Sequence, residues 1–263
     1  MATKKAKKEK EQLDFESIHN SFKRNLESLE VFVNNVAPIA AKYDKATLKK
    51  IKQTLEQIVK FARLDKGQIE QKKGELTVKV SEDTARKIIP LAANLPRLPM
   101  PQAHLLYRSS FVTLISYLDF LLSDLIHFFY RKYPESLFGK ELPLTLSELK
   151  LLGSVDEAVD FVINKEADNV LYDSLEKQKL YLKNTLKIDT KDSILNWNRL
   201  IEATERRHIV VHNDCKINRR YLANADLSQI PEKAKDLKEG TRVRITESYF
   251  KSVFEEVCVS GLV

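Results

Sequence analysis

One stretch constrains this 263-residue chain more than any other: Leu105 to Tyr133, LLYRSSFVTLISYLDFLLSDLIHFFYRKY. Its length and lack of breakers predict a single long helix, and its apolar residues fall nearly all round the axis. A helix of that kind must be enclosed by other helices, so the stretch predicts the central element of a bundle. Asp119 and Asp124 interrupt the run, which therefore stays short of the ~18 consecutive apolar residues of a membrane span. Asp119 lies amid Leu118, Phe120, Leu121 and Leu122. A buried, unpaired carboxylate is costly, so Asp119 is expected to face a polar seam or to pair with a cation.

The rest of the chain agrees with an all-α fold. Only 6 Gly and 8 Pro occur, 43% of the residues are hydrophobic, and Leu, Lys, Glu, Ile and Ala recur at helical spacing. Residues 1–12 read as a disordered basic tail with no apolar segment behind it, so they do not form a secretory signal. Two helical series follow, Phe15, Ile18, Phe22, Leu26, Leu29, Val33, Val36 and then Leu48, Ile51, Leu55, Ile58, Ala62. Pro38 and the polar KYDKAT between them suggest a helical hairpin. Leu76, Val78 and Val80 permit one short strand, and Ser81 opens a brief helix. Pro96, Pro99 and Pro101 then favour an extended link. The expected division is a helical region over 13–95, a linker over 96–101 and a helical domain over 102–263.

Two cysteines, Cys215 and Cys258, give no disulfide framework, and reduced thiols in a cytoplasmic protein are expected. The net charge of +7 fits a polyanionic partner, although a solvated basic surface would give the same sum. The chain shows no internal repeat, low-complexity tract or glycine-rich phosphate loop.

The densest chemistry lies in RRHIVVHNDC, Arg206 to Cys215. Ile194, Trp197, Ile201 and Thr204 lead a helix into it, with Thr190, Asp192 or Ser193 as its expected cap. Asn213, Asp214 and Cys215 are expected to end that helix. Further on, Val243 and Ile245 alternate with arginines in a short extended piece, and a last helix begins at Glu247 or Ser248.

Several chemistries can be set against this stretch. His208 and His212 are four apart and share a helix face, as zinc ligands do. A zinc protease of that spacing needs Glu directly after the first His, where this chain has Ile209, and nothing fixes Asp214 or Cys215 as a third ligand. No metal or other cofactor is expected. Cys215 near His212 could be a thiol nucleophile, but nothing distinguishes it from a small buried hydrophobe. Metal-free RNA cleavage uses the groups better. It needs an acid or base that titrates near neutral pH for the 2′-hydroxyl proton, and a fixed cation for the charge that builds on phosphorus. Arg207 and His212 are five apart, about 140° around an ideal helix. One straight helix would not aim both at one atom, whereas a helix end or a second copy of the chain could.

The stretch RRHIVVHND resembles the R-x4-6-H signature of HEPN domains, with Arg207, four intervening residues and His212. SSFVTLISYLDFLLSDLI resembles the first long HEPN helix with its acidic position at Asp119, and WNRLIEATERRHIVVHNDCKINRRYL resembles the motif helix of the RiboL-PSP-type branch. The resemblance covers roughly residues 102–260. It implies an antiparallel helical bundle, usually a homodimer with facing motifs. In many members it implies a metal-independent endoribonuclease that leaves a 2′,3′-cyclic phosphate, often a toxin or an anti-phage effector with a neutralising antitoxin or a defence partner. By position, Arg207 would stabilise the phosphate, His212 would transfer the proton and His208 would support them. Arg206 would be an alternative arginine. The adenylylation-linked toxins carry Tyr two residues after the histidine, where this chain has Asp214.

Asn213 follows the histidine as in the family, and Asn218, Arg219, Arg220 and Tyr221 form a cation-aromatic cluster of a kind that suits single-stranded RNA. The same arginines could simply solvate a helix end and offset its dipole, and Tyr221 could pack rather than stack. A catalytically silent HEPN module that binds RNA or a partner protein is the alternative function.

Overall fold

A computed structural model of the chain describes residues 14–64, 68–72, 75–93, 95, 100–137, 144–188, 195–230 and 237–260. The expected basic tail lies outside them. The fold is all-α, with one small two-stranded sheet among the described residues.

The first element corrects the expected hairpin. Helix α1 runs unbroken over Phe15–Leu64 and holds Pro38 in its interior. Asp14 caps it: the Asp14 carboxylate accepts from the Ser17 backbone N–H at 2.6 Å, and the Ser17 hydroxyl accepts from the Asp14 N–H at 3.2 Å. An interior proline removes one backbone bond and crowds the preceding turn, at about 3 kcal/mol. The segment after it, Ile39 to Thr47, contains neither Gly nor Asn to carry a left-handed turn, and Ala40, Ala41 and Lys42 favour helix. The polar KYDKAT segment is thus one more stretch of solvated helix surface.

The chain divides into two compact units, Val33–Leu106 and a second comprising residues 1–32 with Tyr107–Val263. The boundaries fall inside helices, at Phe32/Val33 and Leu106/Tyr107, and not at the proline-rich segment, whose residues 96–99 lie outside those described. In the Val33–Leu106 unit, strands β1 (Gln68–Lys72) and β2 (Glu75–Lys79) pair antiparallel with Ile69 opposite Val78. Helix α2 (Glu82–Ala93) starts where the Ser81 hydroxyl meets the Thr84 N–H, as expected. Its Ile88 packs with Ile58 and Ala62 in a small core. Asp44 serves the start of the next helix, its carboxylate accepting from the Gln102 and Ala103 N–H groups at 2.7 and 3.0 Å. Those donors have no intrahelical partner, and an acidic group there also favours the helix dipole.

That next helix is α3 (Gln102–Lys132), the predicted central element. It is the one helix among the described residues long and apolar enough to cross a membrane, which corrects the expectation that no run approaches that length. Its Phe111, Leu114, Ile115, Ile126 and Tyr130 are buried in the larger unit, while Leu105 and Phe120 are exposed, so the helix is covered on one side and not all round as expected. After α4 (Leu146–Leu151), which opens on a capping box between Thr145 and Glu148, come α5 (Val155–Tyr172) and α6 (Leu175–Asn184). Leu122, Ile126 and Tyr130 of α3 pack on Ile163, Ala167 and Val170 of α5. The buried Glu166 carboxylate accepts from the Tyr181 hydroxyl at 2.9 Å, and Tyr181 meets Tyr130 at 2.7 Å. Helices α7 (Trp197–His212), α8 (Arg219–Asn224) and α9 (Glu247–Ser260) complete the unit. Edge-to-face packing of Phe111 on Tyr249, centroids 5.5 Å apart, ties α3 to α9.

Candidate functional site: the C-terminal end of helix α7

Helix α7 begins later than its sequence suggests. Asn196 is its cap, accepting from the Arg199 N–H at 3.1 Å. Thr190, Asp192, Ser193 and Ile194 lie outside the described residues. The helix buries Trp197, Leu200, Ala203, Ile209 and Val210, and among them four charged side chains, Arg199, Glu202, Glu205 and Arg206.

The far end stops as NDC predicts. Asn213 caps it, and Asp214 and Cys215 take left-handed backbone conformations, φ 49° and 61°. Asp tolerates that region better than most residues, but two non-glycine residues in succession store strain, on the order of 1–3 kcal/mol each. Neighbours offset it. The Asn213 and Cys215 N–H groups both donate to the Ile209 carbonyl at 3.0 Å, and the Val243 N–H donates to the Cys215 carbonyl at 2.9 Å. Arg108 reaches from α3 to the Val210 carbonyl at 2.7 Å and to the Asp214 carboxylate at 3.5 Å, and Arg242 pairs with Asp214 from the other side. A cation on the last carbonyls of a helix also offsets its dipole. The strained turn fixes where the end of α7 points.

Beside that end, His208 and His212 lie ring to ring with centroids 4.8 Å apart and planes 47° apart. His208 is partly buried and His212 exposed. Burial holds His208 below its ordinary value of 6.5; Arg220, His212 and Arg207 push the same way and Glu205 opposes them. His208 is therefore neutral at pH 7, with one ring nitrogen free to accept a proton.

Arg207 turns the other way, toward α3, where its guanidinium pairs with Asp119 at 3.9 Å. Of the two outcomes expected for Asp119, a polar seam or a cation, the fold supplies the cation. Burial raises the Asp119 pKa and Arg207 partly reverses the shift. Nε of Arg207 is shielded from solvent and has no hydrogen-bond partner among the described residues. The described contacts thus bring the two histidines together and leave Arg207 on an adjoining face.

Two residues expected to meet RNA are instead core. Arg206 has no exposed surface: its Nε donates to Glu202 at 2.7 Å, its guanidinium reaches the Arg244 carbonyl and the Tyr221 hydroxyl, and it stacks on the Tyr249 ring at 4.1 Å. Tyr221 is equally enclosed, its hydroxyl donating to Glu202 at 2.6 Å, so no base can stack on it in this fold. Tyr249 donates to the other Glu202 oxygen at 2.7 Å. Glu202 thus joins α7, α8 and α9, and the Glu202–Arg206 spacing of four was its only trace in the sequence.

The remaining candidates divide. Asn218 caps α8, its side chain accepting from the Tyr221 N–H, and the Asn213 amide donates to the Lys216 carbonyl. Arg219 is exposed and pairs with Glu239, while Arg220 is half-exposed and bidentate to Glu205, the partner missed in the sequence. Burial raises the Cys215 pKa, so its thiol is protonated and unsuited to nucleophilic attack. Comparison with protein-family models, curated proteins and solved structures gave no match.

Proposed function

We propose that the protein is a metal-independent endoribonuclease of HEPN type, with its site at the C-terminal end of α7. The observation that carries this reading is the ring-to-ring pair of His208 and His212 at the end of the helix that carries Arg207 on an adjoining face. In-line RNA cleavage needs one group to take the 2′-hydroxyl proton while that oxygen attacks phosphorus, and a second to protonate the departing 5′-oxygen. The products are a 2′,3′-cyclic phosphate and a 5′-hydroxyl. A neutral imidazole suits the first task and an imidazolium the second. His212, the more exposed ring, takes the proton-transfer role at the substrate, with His208 next to it as support or partner. Arg207 stabilises the charge on phosphorus after giving up Asp119, or serves the histidines of a second copy in a homodimer.

Arg219, Arg220, Asn213 and Asn218 border the strand path. Arg206 and Tyr221 act from beneath, holding α7 in place. A cytoplasmic toxin or anti-phage effector, held in check by an antitoxin or a defence partner, is the role that suits such an activity. The Arg207–Asp119 ion pair favours the alternative, a silent HEPN module that binds RNA or a partner protein, because it engages the guanidinium with a carboxylate. Single-turnover cleavage of unstructured RNA separates the two. His212→Ala and Arg207→Ala should each slow it by roughly 10²-fold or more. Full activity in both variants would remove the site from α7, and wild-type RNA binding without cleavage would select the silent module.

A further inference from the structure

A cavity of about 280 Å³ lies inside the larger unit, between the first turns of α1 and helices α3, α6 and α7. Its walls are overwhelmingly apolar, with Phe22, Leu118, Leu122, Leu182 and Leu200 among them. Apolar walls of this kind gain dispersion contacts from an apolar occupant. An engineered cavity of about 150 Å³ takes up benzene. By proportion this one holds a molecule of about ten heavy atoms.

Its polar groups indicate what kind of molecule. Two are already committed: the Gln178 amide donates to the Leu171 and Asp173 carbonyls, and the Thr204 hydroxyl donates to the Leu200 carbonyl. His19 stands on the α1 wall. Trp197 is different. It is more than nine-tenths buried and lines the cavity, yet its indole N–H has no hydrogen-bond partner among the described residues. A buried donor left unmet costs about 1–3 kcal/mol, so it calls for an acceptor. Asp119 also lines the cavity, which disfavours an anion, and Arg207 already stands against Asp119, which disfavours a second cation.

We propose that the cavity binds a small uncharged apolar molecule of about ten heavy atoms with one hydrogen-bond acceptor, in class a medium-chain ketone or ester, held by the Trp197 indole N–H. The proposal stands whether or not α7 cleaves RNA.

Trp197 is the chain's single tryptophan, so its emission reports the cavity directly. The probe is 2-nonanone, titrated into the full-length protein. A saturable change in emission is expected, with nuclear Overhauser contacts between the alkyl chain and the indole ring in wild-type protein. Trp197→Phe keeps the apolar ring and removes the donor, and should weaken binding at least fivefold by calorimetry. Leu118→Phe, which places a larger ring in the cavity, should weaken it at least tenfold, and nonanoate should bind at least tenfold more weakly than the ketone. The proposal is overturned by no saturable signal up to the solubility limit of the ketone, or by binding without contacts to the indole. Equal affinity of Trp197→Phe or of nonanoate would overturn the assigned recognition. The Overhauser contacts decide the location even if Leu118→Phe does not fold.

Discussion

Arg206 donates to Glu202 across 2.7 Å with neither side chain open to solvent, and the same carboxylate takes the hydroxyls of Tyr221 and Tyr249. A buried pair of this kind contributes little net stability against an apolar replacement of both partners, but removing one partner strands a charge. Arg206→Ala should therefore cost about 3–5 kcal/mol in urea unfolding. Arg219→Ala, thirteen residues later and exposed, should change stability by no more than about 0.5 kcal/mol. Equal effects would mean that Arg206 is not the internal brace described.

His208 gives the fold a pH dependence of known sign. Its folded-state pKa lies below the 6.5 of an unperturbed histidine, so the unfolded chain binds more protons between those two values. Its contribution to stability is full above about pH 6.5 and falls as the pH drops through the window beneath. His208→Gln should lose less stability than the parent between pH 7.5 and 5.5, read from urea midpoints. An identical loss would mean that His208 titrates normally.

The thiol of Cys215 should be inert. Burial raises its pKa, and its side chain is almost wholly enclosed. Iodoacetamide should modify it in the folded protein at least tenfold more slowly than in urea, and Cys215→Ala should leave RNA cleavage within about twofold of wild type. Loss of cleavage in a folded Cys215→Ala protein would return the thiol to the chemistry.

Arg207 pairs with Asp119 on one face of α7 while His212 is exposed at its end, so a composite site across two copies is the expected arrangement. Sedimentation should show a dimer at micromolar concentration. Mixing Arg207→Ala chains with His212→Ala chains should restore activity that neither parent has. A strictly monomeric protein that still cleaves RNA would end the composite-site idea.

What the sequence revealed follows from how local each signal is. The helix end at Asn213 to Cys215, the start of α9 at Glu247 or Ser248 and the expectation that Asp119 faces a polar seam or pairs with a cation are written in adjacent residues; the fold ends α7 at Asn213, starts α9 at Glu247 and pairs Asp119 with Arg207. Pro38 and a polar segment resemble a turn, yet the segment after Pro38 has neither Gly nor Asn and its alanines and lysines favour helix, so α1 runs on unbroken. The sequence places Arg206 among RNA-binding groups because arginine is usually exposed, and it leaves Tyr221 open between packing and stacking; the fold buries both. The Arg206 contacts with Arg244 and Tyr249 come from about forty residues further along the chain, and beyond the spacing of four between Glu202 and Arg206 no local pattern marks them. The cavity beside Trp197 was not legible for the same reason, since its walls come from four helices.

The central claim, RNA cleavage by imidazoles without a metal, is tested most directly by the ends of the products. Wild-type protein incubated with single-stranded RNA in excess EDTA should yield fragments ending in 2′,3′-cyclic phosphate and 5′-hydroxyl, and a substrate with 2′-deoxyribose throughout should remain intact. Intact RNA under those conditions, cleavage that EDTA abolishes, or fragments carrying 3′-hydroxyl and 5′-phosphate ends would contradict it.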